Sequence, residues 1–128
     1  MIYLESSVAL AELRGEARRP PPEFWNEGFV SSRLLQYEVW VVAHARGIGE
    51  QLAPLIGSMI RRVALVDMVP EVLERTRSPM PVPVRTLDAI HLATLDYLHR
   101  SKRPATLASY DQRLLTAARA LGFKTIEP

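Results

Sequence analysis

The 128-residue chain predicts an α/β domain in which a parallel sheet is covered by helices on both faces, a three-layer α/β/α arrangement. Three observations predict it. Short apolar runs of strand type alternate with longer helical stretches along the whole chain. No hairpin signal joins any two neighbouring runs. Strands linked through helices pair in parallel, with both sheet faces buried. This length supports one domain, residues 1–128, with a substantial core.

Met1-Ile2-Tyr3-Leu4 is a short buried strand ending at Glu5, and Ser6 or Ser7 starts a helix through about Arg14. Arg18-Arg19-Pro20-Pro21-Pro22 then breaks the pattern as a stiff exposed loop. Gly28-Phe29-Val30-Ser31 is the second strand. Ser31 or Ser32 caps a helix over residues 33–46, closed by Gly47. A further helix covers 49–61, with Pro54 marking a late start or a kink.

Val63-Ala64-Leu65-Val66-Asp67-Met68 is a strand-type run, and Pro70 opens a brief helix. Pro79-Met80-Pro81-Val82-Pro83 is extended loop, because each proline disfavours helix at the residue before it. Thr86 caps a helix running to about Arg100. Thr106-Leu107-Ala108 is a strand, and Ser109-Tyr110-Asp111-Gln112 matches a capping box that opens a helix ending at Gly122. Lys124-Thr125-Ile126 is the last strand.

Composition narrows the function classes. With no cysteine there is no disulfide, thiolate nucleophile or cysteine-based zinc site. No uncharged apolar run nears the roughly 20 residues that span a membrane, and the N-terminus lacks signal-peptide features. A soluble cytoplasmic protein with no membrane partner is therefore expected. There is no Gly-rich phosphate loop, and His44, His91 and His99 lack the spacing of a zinc site. His91 is expected to be a packed, hydrogen-bonded core residue.

Four acids carry the chemistry: Glu5, Glu38, Asp88 and Asp111. Each falls where an α/β fold could gather it, Glu5, Asp88 and Asp111 at a strand end or near a helix start and Glu38 inside a helical stretch, and ligands of such sheets bind beyond the carboxyl ends of the strands. Carboxylates that converge repel one another and call for a cation, and hard divalent ions such as Mg²⁺ or Mn²⁺ take oxygen ligands. Each acid also has a plainer explanation. Glu5 favours the dipole of the following helix, and Asp88 and Asp111 suit first-turn positions. Glu38 lies in Leu34-Leu35-Gln36-Tyr37-Glu38-Val39-Trp40-Val41-Val42, a helix apolar around most of its circumference and so expected to be largely buried; the plainer reading places it on a solvated stripe. Lys and Arg number 16 against 14 Asp and Glu, so without the four acids ten negative side chains face 16 positive ones. A basic body around an acidic pocket suits a polyanion.

These residues resemble the PIN-domain family, in particular the single-domain VapC-type toxins. The resemblance runs nearly end to end through four pieces. They are Tyr3-Leu4-Glu5-Ser6-Ser7-Val8-Ala9-Leu10, Glu38 in the second long helix, Arg85-Thr86-Leu87-Asp88-Ala89-Ile90-His91-Leu92-Ala93-Thr94, and Ser109-Tyr110-Asp111 with the helix that follows. The resemblance implies a Mg²⁺- or Mn²⁺-dependent endoribonuclease that hydrolyses RNA phosphodiesters with metal-activated water. It further implies neutralisation by a cognate antitoxin protein, and a homodimer. Carried over by position, Glu5, Glu38, Asp88 and Asp111 are the catalytic and metal-binding acids, and Ser6 and Ser109 are supporting polar groups. One departure stands out, because the family's first acid is normally Asp and here it is Glu5. The alternative it raises is a catalytically weakened module that still binds RNA or antitoxin.

Overall fold

The computed structural model describes residues 1–128. Strand β1 (Ile2–Leu4) is followed by α1 (Ser6–Leu13), β2 (Phe29–Ser32), α2 (Leu34–Ala45) and α3 (Gly49–Ile60). Then come β3 (Val63–Val66), α4 (Pro70–Arg75), α5 (Thr86–Arg100), β4 (Thr106–Ala108), α6 (Gln112–Ala120) and β5 (Thr125–Ile126). Every strand pairing is parallel, in the order β3-β2-β1-β4-β5. The predicted α/β architecture is the one observed.

Two cores form on the two faces because successive strand residues point opposite ways. Leu4, Phe29, Val63 and Ala108 pack with Val8, Leu35, Val39 and Ile56 under α1, α2 and α3. Tyr3, Val30 and Leu107 pack with Leu92, Leu95, Leu114 and Leu115 under α5 and α6. Leu114 and Leu115 are fully buried, and each contributes about 1.5–3 kcal/mol of apolar transfer free energy.

Strand order locates the ligand crevice. From β1 the chain runs outward through β2 to β3, then crosses to β4 and β5 on the other side. The connections leaving β1 and β4 therefore diverge, and a crevice opens beyond their carboxyl ends. Glu5 follows β1 directly, and Ser109 follows β4.

Several local expectations shift. Helix α1 is capped by Glu5 rather than by a serine. Arg85 is the cap residue of α5, with Thr86 already helical. Asp111 caps α6, two residues beyond Ser109. In each case the chain leaves the extended conformation one or two residues away from the predicted cap. Ser32 does accept from the Leu34 N–H at 3.1 Å, although Arg33 is the cap position of α2. Gly47 ends that helix with φ +70°, a left-handed conformation that costs glycine little. Pro54 lies inside α3, so it does not delay that helix's start.

Helix α2 is also less buried than its composition predicts. Leu35, Val39 and Ala43 face inward, but Tyr37 is 54% and Val41 65% exposed. The helix rests on α1, α3 and β2, which cover only one side of it. In the loop before β2, Arg18 and Arg19 are exposed as predicted, but Pro20 is buried and Pro22–Asn26 coil into a 3₁₀ turn.

Candidate active site

Glu5 sits at the end of β1, where the extended conformation of a helix cap (φ −99°, ψ 157°) turns its carboxylate back over α1. Oε2 accepts from the Ser7 N–H at 3.0 Å, from the Ser7 hydroxyl, and from Ser109 Oγ at 2.8 Å. Oε1 accepts only from Ser6 Oγ, at 2.7 Å. A carboxylate oxygen offers about two lone pairs, so Oε2 is saturated and Oε1 retains one free position. The residue is 6% exposed, and these donors offset the cost of burying its charge.

The serines link neighbouring turns. Ser109 Oγ donates to Glu5 and accepts from the Asp111 N–H at 2.9 Å. Ser7 Oγ accepts from the Tyr110 N–H at 2.9 Å. Beyond them, Asp111 caps α6 through Oδ1, which accepts from Arg113 N–H at 2.9 Å and Leu114 N–H at 3.3 Å. Oδ2 takes part in neither bond.

Asp88 occupies the first turn of α5 and is part-buried. Burial, then repulsion from Asp111, Glu5 and Glu38, raises its carboxyl above the usual range, offset in part by His91. That response places all three other acids within electrostatic reach of Asp88. Glu38 reaches in from α2 on the other face of the sheet. Its Oε1 lies 2.6 Å from His91 Nε2, and the opposite ring nitrogen, Nδ1, lies 2.7 Å from Tyr3 Oη. Tyr3 Oη in turn accepts from the Ser32 N–H at 3.1 Å. Burial pushes the Tyr3 phenol well above its usual value, so it stays protonated.

The four predicted acids thus share one end of the sheet, and Ser6 and Ser109 bind one of them. The donor set is all oxygen, and its members repel, which fits a hard divalent cation in kind. As placed, however, no three His, Asp or Glu side chains are close enough together to enclose an ion. Glu5 and Asp111 each use a carboxylate oxygen as a helix cap, and Glu38 uses Oε1 on His91, which leaves Oε2 of Glu38 and Oδ2 of Asp111 outside these bonds.

Sequence reasoning missed Ser7 and Tyr3 as contributors, and it named no partners for His91. His91 is fully buried and hydrogen-bonded as expected, through both ring nitrogens, to Tyr3 and Glu38. Its position three residues after Asp88, on the same helix face, was the available signal.

None of the four acids lines either of two clefts in the surface. One of about 500 Å³ is lined by Val82, Pro83, Gln112, Arg113 and Thr116. Arg113 and Arg85 are exposed, and they stand two and three residues from Asp111 and Asp88. A different cleft of about 440 Å³ includes Phe29 and Val63, the first residues of β2 and β3, and so opens at the far end of the sheet.

No protein-family model matches the chain. It is 30% identical to ribonuclease VapC35 of Mycobacterium tuberculosis, in strain H37Rv and in strain CDC 1551 alike, over all of this chain and 97% of that protein. The fold is similar to the crystal structure of M. tuberculosis VapC20, a sarcin-ricin loop cleaving toxin. The TM-score is 0.74 at 18% identity, over the full length of both chains.

Proposed function

Because the chain belongs to the VapC family of PIN-type ribonucleases, we propose that it is an endoribonuclease and the toxin of a toxin–antitoxin pair, hydrolysing RNA phosphodiesters at the crevice beyond β1 and β4. The observation that carries this reading is the gathering of Glu5, Glu38, Asp88 and Asp111 around one strand-end crevice, with the Asp88 carboxyl raised by burial and by the other three. Those four residues are the ones that would hold Mg²⁺ or Mn²⁺. When bound, the cation makes a water more acidic and offsets charge at the phosphate.

The chain's own groups divide the remaining work. Asp88 caps no helix and is not held by a histidine, and it is the acid most in need of a positive partner. Arg85 and Arg113, both exposed and close in sequence to Asp88 and Asp111, would hold phosphates flanking the scissile one, as guanidinium groups do with two parallel hydrogen bonds. On this reading the partners are RNA, a cognate antitoxin protein and a second copy of the chain, in the cytoplasm. No helix is long and apolar enough to cross a membrane.

One observation favours a second reading. Glu5 engages both oxygens with serine and backbone donors as the cap of α1, which is the behaviour of a structural residue. A pocket with its first acid so engaged would be a weakened enzyme that still binds RNA or antitoxin.

RNA cleavage by the wild type and by Glu5→Asp, side by side in Mg²⁺, Mn²⁺ and EDTA, separates the two, with Asp88→Ala to exclude a contaminating nuclease. Metal-dependent cutting by the wild type, lost in Asp88→Ala, establishes the enzyme. Cutting by Glu5→Asp alone establishes the weakened module.

A further inference from the structure

We infer that Tyr3 and His91 form a buried positioning relay that orients Glu38 toward the acidic crevice. The inference rests on the metal-site reading above and assigns two residues to it that touch neither cation nor RNA.

Hydrogen-bond chemistry sets the direction of the relay. The Glu38 carboxylate only accepts, so the nitrogen 2.6 Å from its Oε1, His91 Nε2, is the one that carries the proton. In a neutral imidazole Nδ1 is then bare and needs a donor. Tyr3 Oη, at 2.7 Å, is that donor. The two hydroxyls near Tyr3 are committed elsewhere, Ser31 Oγ donating to the Leu4 carbonyl and Thr94 Oγ1 to the Ile90 carbonyl, each at 2.7 Å. The Ser32 N–H supplies the remaining bond to the phenol oxygen. Every donor and acceptor in the chain from Ser32 to Glu38 is then matched.

The relay spans the fold. Tyr3 belongs to the central strand β1, His91 to α5 under one sheet face, and Glu38 to α2 over the other. Tyr3 and His91 are both wholly buried, while the Glu38 side chain is 15% exposed. A rigid interior pair therefore holds a carboxylate that faces solvent. Only Oε1 is taken up by His91, leaving Oε2 for a ligand. A histidine that merely filled space would need no such chain, because an apolar side chain fills the site without leaving polar groups to satisfy. Fixing the tautomer and orientation of a ligand-bearing group through a second residue is how outer partners tune metal sites, and losing one loosens affinity by about 10–100-fold.

Mn²⁺ affinity by calorimetry without RNA, together with ¹⁵N-histidine NMR, tests the relay. Tyr3→Phe keeps the ring and removes the hydroxyl. We expect its Mn²⁺ affinity to fall about tenfold, with no further fall when the same change is made in Glu38→Ala. His91 should pass from a single Nε2-protonated form to a mixture. Equal losses in both backgrounds would show simple destabilisation and overturn the relay. Mn²⁺ binding abolished by Asp88→Ala but untouched by Tyr3→Phe overturns the relay while sparing the metal site. A wild type that takes up no Mn²⁺ sinks the site and the relay with it. Should Tyr3→Phe fail to fold, the wild-type spectrum still decides, because an Nδ1-protonated or doubly protonated His91 contradicts the assignment.

Discussion

Ser109 Oγ stands 2.8 Å from Glu5 Oε2, and this one bond joins the carboxyl ends of the two strands between which the crevice opens. The same hydroxyl accepts from the Asp111 N–H. It therefore sets the spacing of two of the four acids at once.

Ser109→Ala removes both interactions from a fully buried site. Glu5 loses one of its donors, and a backbone N–H at the start of α6 loses its acceptor. A destabilisation of about 1–3 kcal/mol is expected, seen as a melting temperature lower by about 4–11 °C. A melt within a degree of wild type would show that water replaces the hydroxyl freely.

Asp111 has two roles that substitution can separate. As the cap of α6 it is replaceable by Asn, which caps as well as Asp, but not by Ala, which costs about 1 kcal/mol. As a carboxylate it is replaceable by neither. Asp111→Asn should melt within about 0.5 kcal/mol of wild type while RNA cleavage falls more than about tenfold. Full activity in the Asn variant would reduce Asp111 to a helix cap.

The order of elements was legible in the sequence because strands and helices differ in apolar period, and the acids lay where that order brings strand ends together. The Glu5 cap was harder to see. A glutamate seldom caps its own helix, and only the three-dimensional approach of Ser109 shows where its carboxylate goes. The Tyr3–His91–Glu38 chain was invisible for a related reason. Its members lie 88 and 53 residues apart in sequence, and no local pattern records which helix crosses which strand. The exposure of Tyr37 and Val41 was misjudged because apolar composition says how much surface a helix could bury, and the neighbouring elements decide how much it does.

Asp88 carries the electrostatic strain of the site, since burial and three nearby acids all oppose its charge. In EDTA, Asp88→Asn should melt at or above the wild type, because the neutral amide removes that repulsion. Mn²⁺ should raise the melting temperature of the wild type by binding the folded state alone, and should raise that of Asp88→Asn much less. Equal responses to Mn²⁺ in the two proteins would place the cation elsewhere.

Arg85 and Arg113 are the exposed cations nearest Asp88 and Asp111 in sequence, and neither forms a salt bridge to an acid, whereas Arg33 is committed to Asp67 and Arg18 to Glu127. Free guanidinium groups beside an acidic crevice are suited to the phosphates on either side of a cleavage point. For single-stranded RNA, each phosphate that is no longer neutralised flattens the slope of log affinity against log salt by about 0.7. Arg85→Ala and Arg113→Ala should each weaken binding of a cleavage-resistant RNA and flatten that slope by about this amount, with melting temperatures unchanged because neither side chain is buried. The double variant should flatten it by about twice as much, since effects at separate phosphates add. Arg33→Ala is the control: it breaks an ion pair within the protein and should leave the slope as it was. A slope that responds to Arg33 and not to Arg85 or Arg113 would move the RNA path to the β3 side of the sheet.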